Sequence, residues 1–386
     1  MLKFGSRKTI LVLCVFCGAA AMSSPAQTFT TLVNFDETNG AYPAAAPIQG
    51  LNGNLYGTAQ VGGNLACGTG IGCGTVFEMT PEGTLTTLYS FCTQTDCVDG
   101  SQPTAGLFEA NNGTFYGTTI LGGASSNCPG GCGTVFKITA EGTLSTVHSF
   151  DLTDGAEPSV GLVQAANGSF YGTTSEGGAS DVCDFVNVGC GTVFKMNPEG
   201  TLTRLYSFCD QGNDTCPDGS SPQGALVQAS NGNLYGTTVF GGSGYGTVFE
   251  ITPEGALTLL YSFSSSAGSD PRAGLFQATN GKFYGTTYYG GADSLGTVFS
   301  LVPKKPLGPF VETIPTSGKA GTNVTILGNS LKGSTSVTFN GTPASLTVKS
   351  NTAITTTVPS GATTGSVEVT TASGTILTSN VKFRVP

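Results

Sequence analysis

Tryptophan is missing from this chain, histidine occurs once, and only 10% of its 386 residues are charged. One histidine, with cysteine spacings unlike zinc knuckles, gives no basis for a metal site, and nothing marks a cofactor. Lysine and arginine form no cluster after the first eight residues and the net charge is -9, which opposes the counterion release that nucleic-acid binding demands. Nucleic acid is therefore excluded as a partner. No segment after the N-terminus approaches the roughly 20 apolar residues of a membrane span.

The N-terminus reads differently. A basic start through Lys8, an apolar run over residues 9–22 and the small side chains of Ser24 and Ala26 predict a signal peptide over residues 1–26, with a mature chain from Gln27. Cys14 and Cys17 both follow bulky residues, against a lipid anchor. The protein is expected outside the cytoplasm, secreted or at the cell surface. The rest is rich in Gly (58 residues), Thr, Val, Phe and Tyr, the composition of strands and tight turns, so the fold class is all-β.

Tyr-Gly-Thr recurs five times, beginning at Tyr56, Tyr116, Tyr171, Tyr235 and Tyr284, and Gly-Thr-Val-Phe recurs in step from Gly74, Gly133, Gly191, Gly246 and Gly296. A unit of about 50 to 60 residues with four strand-like runs, a to d, predicts a propeller blade. In the second unit the runs are 105–110, 114–119, 134–139 and 143–150. Asn-Gly pairs join a to b, and Pro-Glu-Gly or Ala-Glu-Gly joins c to d, both tight turns. The b-to-c and d-to-a loops are longer and vary between copies; in an up-and-down sheet both emerge on one face. The fifth unit stops after strand c, while a d-like run at 28–35 stands alone before the first unit. It is expected to close the last blade as its outer strand. The expectation is thus a five-bladed β-propeller over residues 28–302, closed by its N-terminal strand.

After a Pro-rich linker at 303–309, residues 310–386 alternate between Gly and Pro turns as a small antiparallel sandwich should. On Asn-Gly-x-x-Tyr-Gly-Thr-Thr and Gly-Thr-Val-Phe, residues 28–302 resemble the bacterial choice-of-anchor family with "GloVer" tandem repeats. That resemblance implies an exported surface protein of unassigned biochemical function. On Ile314-Pro-Thr-Ser-Gly, Phe339-Asn-Gly-Thr and Val358-Pro-Ser-Gly-Ala, the last segment resembles an IPT/TIG domain, which implies an immunoglobulin-like fold that spaces or presents a partner domain.

Ten of the 12 cysteines follow the signal segment, and each variable loop holds two or none. Cys67 and Cys73, Cys128 and Cys132, and Cys183 and Cys190 lie in b-to-c loops; Cys92 and Cys97, and Cys209 and Cys216, lie in d-to-a loops. The second unit has the first kind without the second, which favours disulfides within each loop. His148 stands where other d strands have Tyr89, Tyr206 and Tyr261, so it reads as a packed aromatic rather than a catalytic base. The d-to-a loops carry Asn39, Asp99, Asp154 and Asp218, each before Gly, which is ordinary turn chemistry although a ring of Asp is also compatible with cations or sugar hydroxyls.

Propeller glycosidases need paired carboxylates on inner strands. Here the aligned positions are Gln49, Glu109, Gln164, Gln228 and Gln277, leaving loop acids such as Glu157, Asp181, Asp184 and Asp270 as the only further sources. No catalytic residue is assigned. The reading is a non-enzymatic binding or adhesion protein whose loop face meets a polysaccharide or surface protein, with Phe185, Phe240, Tyr245, Tyr288 and Tyr289 as stacking candidates. A carbohydrate-active enzyme and a structural envelope component are the alternatives.

Overall fold

The computed structural model describes residues 29–64, 70–110, 112–165, 167–180, 183, 189–210, 215–305 and 307–386. The predicted signal segment, Cys67, Asp181, Asp184 and Phe185 lie outside them. Among the described residues no helix is long and apolar enough to cross a membrane.

Five consecutive antiparallel sheets follow the repeat. The first is β1 (Ile48–Gln49), β2 (Leu55–Ala59), β3 (Thr75–Met79) and β4 (Leu85–Ser90), hydrogen-bonded in that order. The second (β5, Phe108–Glu109; β6, Phe115–Thr119; β7, Thr134–Ile138; β8, Leu144–Ser149) repeats it, as do the third (β9–β12, spanning 163–207) and fourth (β13–β16, spanning 227–262). The fifth holds only β17 (Phe276–Gln277), β18 (Phe283–Thr287) and β19 (Thr297–Leu301).

Sequence and structure differ most at the first strand of each unit. The run expected at 105–110 pairs only over Phe108 and Glu109, and in the fourth and fifth units the residues before the paired ones pack closely against each other. A Cβ on Gly224 would lie 2.8 Å from the Ala273 carbonyl oxygen, and one on Gly274 would lie 2.6 Å from that of Ala225. The c-to-d ladder is identical in the four complete sheets: each has an irregularity after the first Val of c, as between Val76 and Phe77.

One aromatic relay joins sheet to sheet. The Phe ending each d run packs edge-on against the c-strand Phe of the next sheet, Phe91 on Phe136, Phe150 on Phe194, Phe208 on Phe249 and Phe263 on Phe299, with centroids 5.1–5.3 Å apart. The repeated tyrosines face the following sheet too: Tyr56 stacks on Phe115 and Tyr235 on Phe283. The interfaces bury these rings completely or nearly so, except Phe299 on the fifth sheet, which is only partly buried, a large apolar contribution repeated unit by unit.

The expected outer strand at 28–35 is not formed. Thr28 lies outside the described residues, 29–35 carry no strand, and the fifth sheet has no fourth member. The segment lies instead on the first sheet, with Phe35 edge-on to Phe77 at 5.4 Å.

The C-terminal segment forms two four-stranded sheets, one ordered β20 (Glu312–Ile314), β21 (Asn323–Leu327), β25 (Ala353–Thr357), β24 (Thr347–Val348) and the other β23 (Thr342–Ala344), β22 (Ser336–Phe339), β26 (Val367–Thr370), β27 (Ile376–Thr378), around Val311, Val324, Ile326, Phe339, Ile354 and Phe383. It touches the repeats on the side of their tight turns. Asn329 Nδ2 donates to Thr279 Oγ1 at 2.9 Å, and Arg384 reaches Glu109 and the Ala110 carbonyl at 3.1 and 3.0 Å. The Pro-rich segment is packed as well: Leu307, like Leu260, Phe299 and Leu301, rests against the cluster of Tyr235, Val248, Phe263 and Phe283.

Candidate functional site

The loop face is built on a repeated polar rung. The last Thr of strand b and the first Thr of strand c share a buried hydroxyl contact in four units, Thr119 with Thr134, Thr174 with Thr192, Thr238 with Thr247 and Thr287 with Thr297, at 2.7–2.8 Å. The glycine of each d-to-a loop passes directly over this rung. At Gly100, φ is +99° and a Cβ would come within 2.6–2.8 Å of both Thr hydroxyls, so no other residue fits without displacement.

Above the rung, the Asp before that glycine ties the loop to strand d. Tyr89 donates to Asp99 Oδ2 at 2.7 Å and Tyr206 to Asp218 Oδ2 at 2.8 Å, while His148 Nε2 lies 2.7 Å from Asp154 Oδ2. His148 also sits edge-on to Phe150 at 5.0 Å, as Tyr89 does to Phe91 at 5.5 Å. The sole histidine therefore occupies a tyrosine's place and its hydrogen bond. Burial, followed by the bond to Asp218, raises the Tyr206 phenol well above its ordinary range. The Asp residues act here as loop anchors and do not converge on a common point.

Disulfides join Cys92 to Cys97, Cys128 to Cys132, Cys183 to Cys190 and Cys209 to Cys216, each within one loop. Cys73 is also disulfide-bonded. In the third unit the two bonds touch: the four sulfurs lie within 4.8 Å of one another, and Cys183 and Cys216, from different bonds, are 3.4 Å apart. Cys92, Cys97, Cys209 and Cys216 all have positive φ, so these short closed loops hold non-glycine backbone in the left-handed region.

Four of the five candidate aromatics lie in b-to-c loops without cysteine, whereas Phe185 falls between Cys183 and Cys190. Phe240, Tyr245, Tyr288 and Tyr289, from the fourth and fifth units, are 40–57% exposed. Backbone bonds link three of them: Asp270 N–H donates to the Tyr245 carbonyl and Tyr288 N–H to that of Asp270, at 3.1 and 3.0 Å, and Tyr289 bridges Ser269, while Phe240 bridges Ser220. Tyr288 and Tyr289 meet edge-on at 4.6 Å, and the Arg272 guanidinium lies over the Tyr288 ring at 4.5 Å. Arg272 is held in turn by Asp270, a bidentate pair with a closest contact of 2.7 Å. Sequence reasoning named the tyrosines and missed Arg272, whose position two residues after Asp270 was the available signal. A hollow of about 600 Å³ lined by Arg272, Thr286, Tyr288, Tyr289 and Leu295 adjoins the shelf.

The inner strands offer little for acid-base chemistry. Gln49, Gln164 and Gln228 donate to the carbonyls of Gly53, Gly168 and Gly232 and so pin their own Asn-Gly turns. Glu109, the one carboxylate among the aligned positions, is only 4% exposed and is paired with Arg384.

These features define a tandem-repeat, all-β protein with a C-terminal sandwich and a disulfide-braced loop face. The chain belongs to the Gloeobacter/Verrucomicrobia repeat family, whose model matches residues 18–186 and 185–334, and it carries an IPT/TIG domain at 309–385. No curated protein matches it in sequence. Among solved structures, a gluconolactonase from Xanthomonas campestris is similar over 84% of this chain and 88% of its own, at 13% identity and a TM-score of 0.39. An endo-arabinase from Bacteroides thetaiotaomicron is similar over 70% and 96%, at 12% and 0.36. An auxiliary nutrient binding protein from Bacteroides ovatus is similar over 68% and 59%, at 14% and 0.40.

Proposed function

We propose that this is an exported, non-enzymatic binding protein built as a five-bladed propeller, and that its loop face takes a polysaccharide through the Phe240, Tyr245, Tyr288 and Tyr289 shelf. The observation that carries this reading is the exposure of four aromatic rings on short loops of two successive units, with Tyr288 and Tyr289 in ring contact. Exposed aromatic clusters on a rigid scaffold mark interaction sites, and flat rings offer apolar faces to sugar C–H groups at low ordering cost. Disulfides within the neighbouring loops, and membership of a repeat family implying a surface protein, support the extracytoplasmic setting. The engagement of Glu109 by Arg384 supports binding over hydrolysis, because that carboxylate is already committed. A net charge of -9 favours a neutral polymer over a strongly acidic one.

The test is co-sedimentation of the purified, oxidised protein with insoluble cell-wall and plant polysaccharides, with soluble sugars assayed in the same tubes. Retention without released sugar is expected. The triple variant Phe240→Ala, Tyr245→Ala, Tyr289→Ala should lose retention by tenfold or more at nearly unchanged Tm, since these rings are largely solvated. Equal retention by the variant, or released sugar from the parent, would overturn the reading.

A further inference from the structure

The flank of the fifth sheet is bare in a way no other flank is. Val298 is 80% exposed, whereas its counterparts Val76, Val135, Val193 and Val248 are at 0%. Tyr284 is 36% exposed where Tyr56, Tyr116, Tyr171 and Tyr235 are at 5% or less. Strand β19 ends the sheet with an unpaired edge. On the first sheet, Leu55 is only half-buried, while the residues in its place in the other units, Phe115, Phe170, Leu234 and Phe283, are covered. Two unpartnered apolar faces are thus left, one at each end of the row. They are the two halves of an interface that the other sheets make four times.

Residues 29–35 already stand where the outer strand of a preceding sheet would stand. Gly142, Gly200 and Gly255 each lie against the carbonyl of the same d-strand position in the sheet before, Leu88, Val147 and Leu205; Gly83 lies in the same way against Leu32. Phe35 meets Phe77 as Phe91 meets Phe136. Thr75 Oγ1 donates to the Asn39 carbonyl as Thr192 donates to that of Asp154. Only the ladder to a neighbouring c strand is missing.

We infer that residues 29–34 are the occupant of the β19 edge, in the same chain, and that the repeat fixes their register. The c-to-d ladders of the four complete sheets transfer directly. Asn34 pairs with Thr297, Val33 with Val298, Thr31 with Phe299, Thr30 with Ser300 and Phe29 with Leu301, with the irregularity after Val298. This pairing brings Leu55 and Tyr284 together, gives the fifth sheet the four strands that the others have and buries Val298.

The experiment uses the full chain carrying Val33→Cys and Val298→Cys, oxidised and mapped by mass spectrometry of non-reduced peptides. Directly paired antiparallel residues place their Cα atoms about 4.5–5.5 Å apart, within the range of roughly 4.4–6.8 Å that a disulfide spans. A disulfide between the two introduced cysteines in monomeric protein is expected, together with slowed amide exchange over 29–34 and 297–301 in the unmodified chain. A bond found only between two chains would overturn closure within one molecule and show the strand exchanged between copies. Should the double variant fail to fold, unprotected amides at 29–34 in the unmodified chain would overturn the pairing by themselves.

Discussion

His148, Tyr89 and Tyr206 end on equivalent aspartates although an imidazole is shorter than a phenol. What the position requires is a flat ring for the neighbouring Phe and a polar atom at its rim, which either residue supplies. His148→Ala should therefore strip Asp154 of a partner and cost about 1–3 kcal/mol, while His148→Tyr should hold Tm at or slightly above the parent value; equal Tm for both, measured by calorimetry, would remove the bond from the account. The same substitution pattern was legible in the sequence as a ring for a ring. Its hydrogen-bond partner was not, because Asp-Gly has a sufficient local explanation as a turn and nothing in a linear pattern shows that the carboxylate points back at strand d.

At the scale of the element, the b and c strands are joined by more than their ladder. Tyr56 donates to Glu78 Oε1 at 2.6 Å across β2 and β3, and Asn54 to the same oxygen at 2.7 Å. Burial, with the bond to Glu78 next, pushes the Tyr56 phenol from 10.0 up to about 12, while the Tyr56 and Asn54 donors hold Glu78 below 4.5. The signs follow: the Tyr56 contribution is complete below pH 10.0 and fades as pH rises towards about 12, whereas the Glu78 contribution is complete above pH 4.5 and fades as pH falls through its lowered value. Thermal melts against pH should show both limbs; Tyr56→Phe should flatten the alkaline limb, and an unaltered limb would show that the titrating tyrosines lie elsewhere. Strand type and order were plain in the repeat, since Tyr-Gly-Thr and Gly-Thr-Val-Phe recur with Gly-bearing turns between them. Strand a was read too long because only two of its residues pair with strand b, and the contacts of those before them are made with a neighbouring unit some 50 residues away, as at Gly224 and Ala273, which no local pattern shows.

For the whole molecule, one ion pair couples the C-terminal sandwich to the repeats. Arg384 and Glu109 are 275 residues apart in sequence, and no local signal announces their meeting. Arg384→Ala leaves a carboxylate with 4% exposure facing a vacated donor set, a loss of about 3 kcal/mol; adding Glu109→Gln should recover much of it, and additive losses in the cycle would show that the pair is not coupled. The sandwich itself was readable from its Pro and Gly turns, but its docking on the tight-turn side was not. That docking leaves the opposite side free, and there the threonine rung has a consequence of its own. Because four units offer the same two hydroxyls, the first having Ala59 beside Thr75, and all five the same crossing glycine as a footing, the loop above can lengthen, acquire a disulfide or present aromatic rings without altering the strands below. The repeat thus separates inheritance of the frame from inheritance of the contact surface, and relatives sharing every strand with this chain are free to recognise unrelated partners.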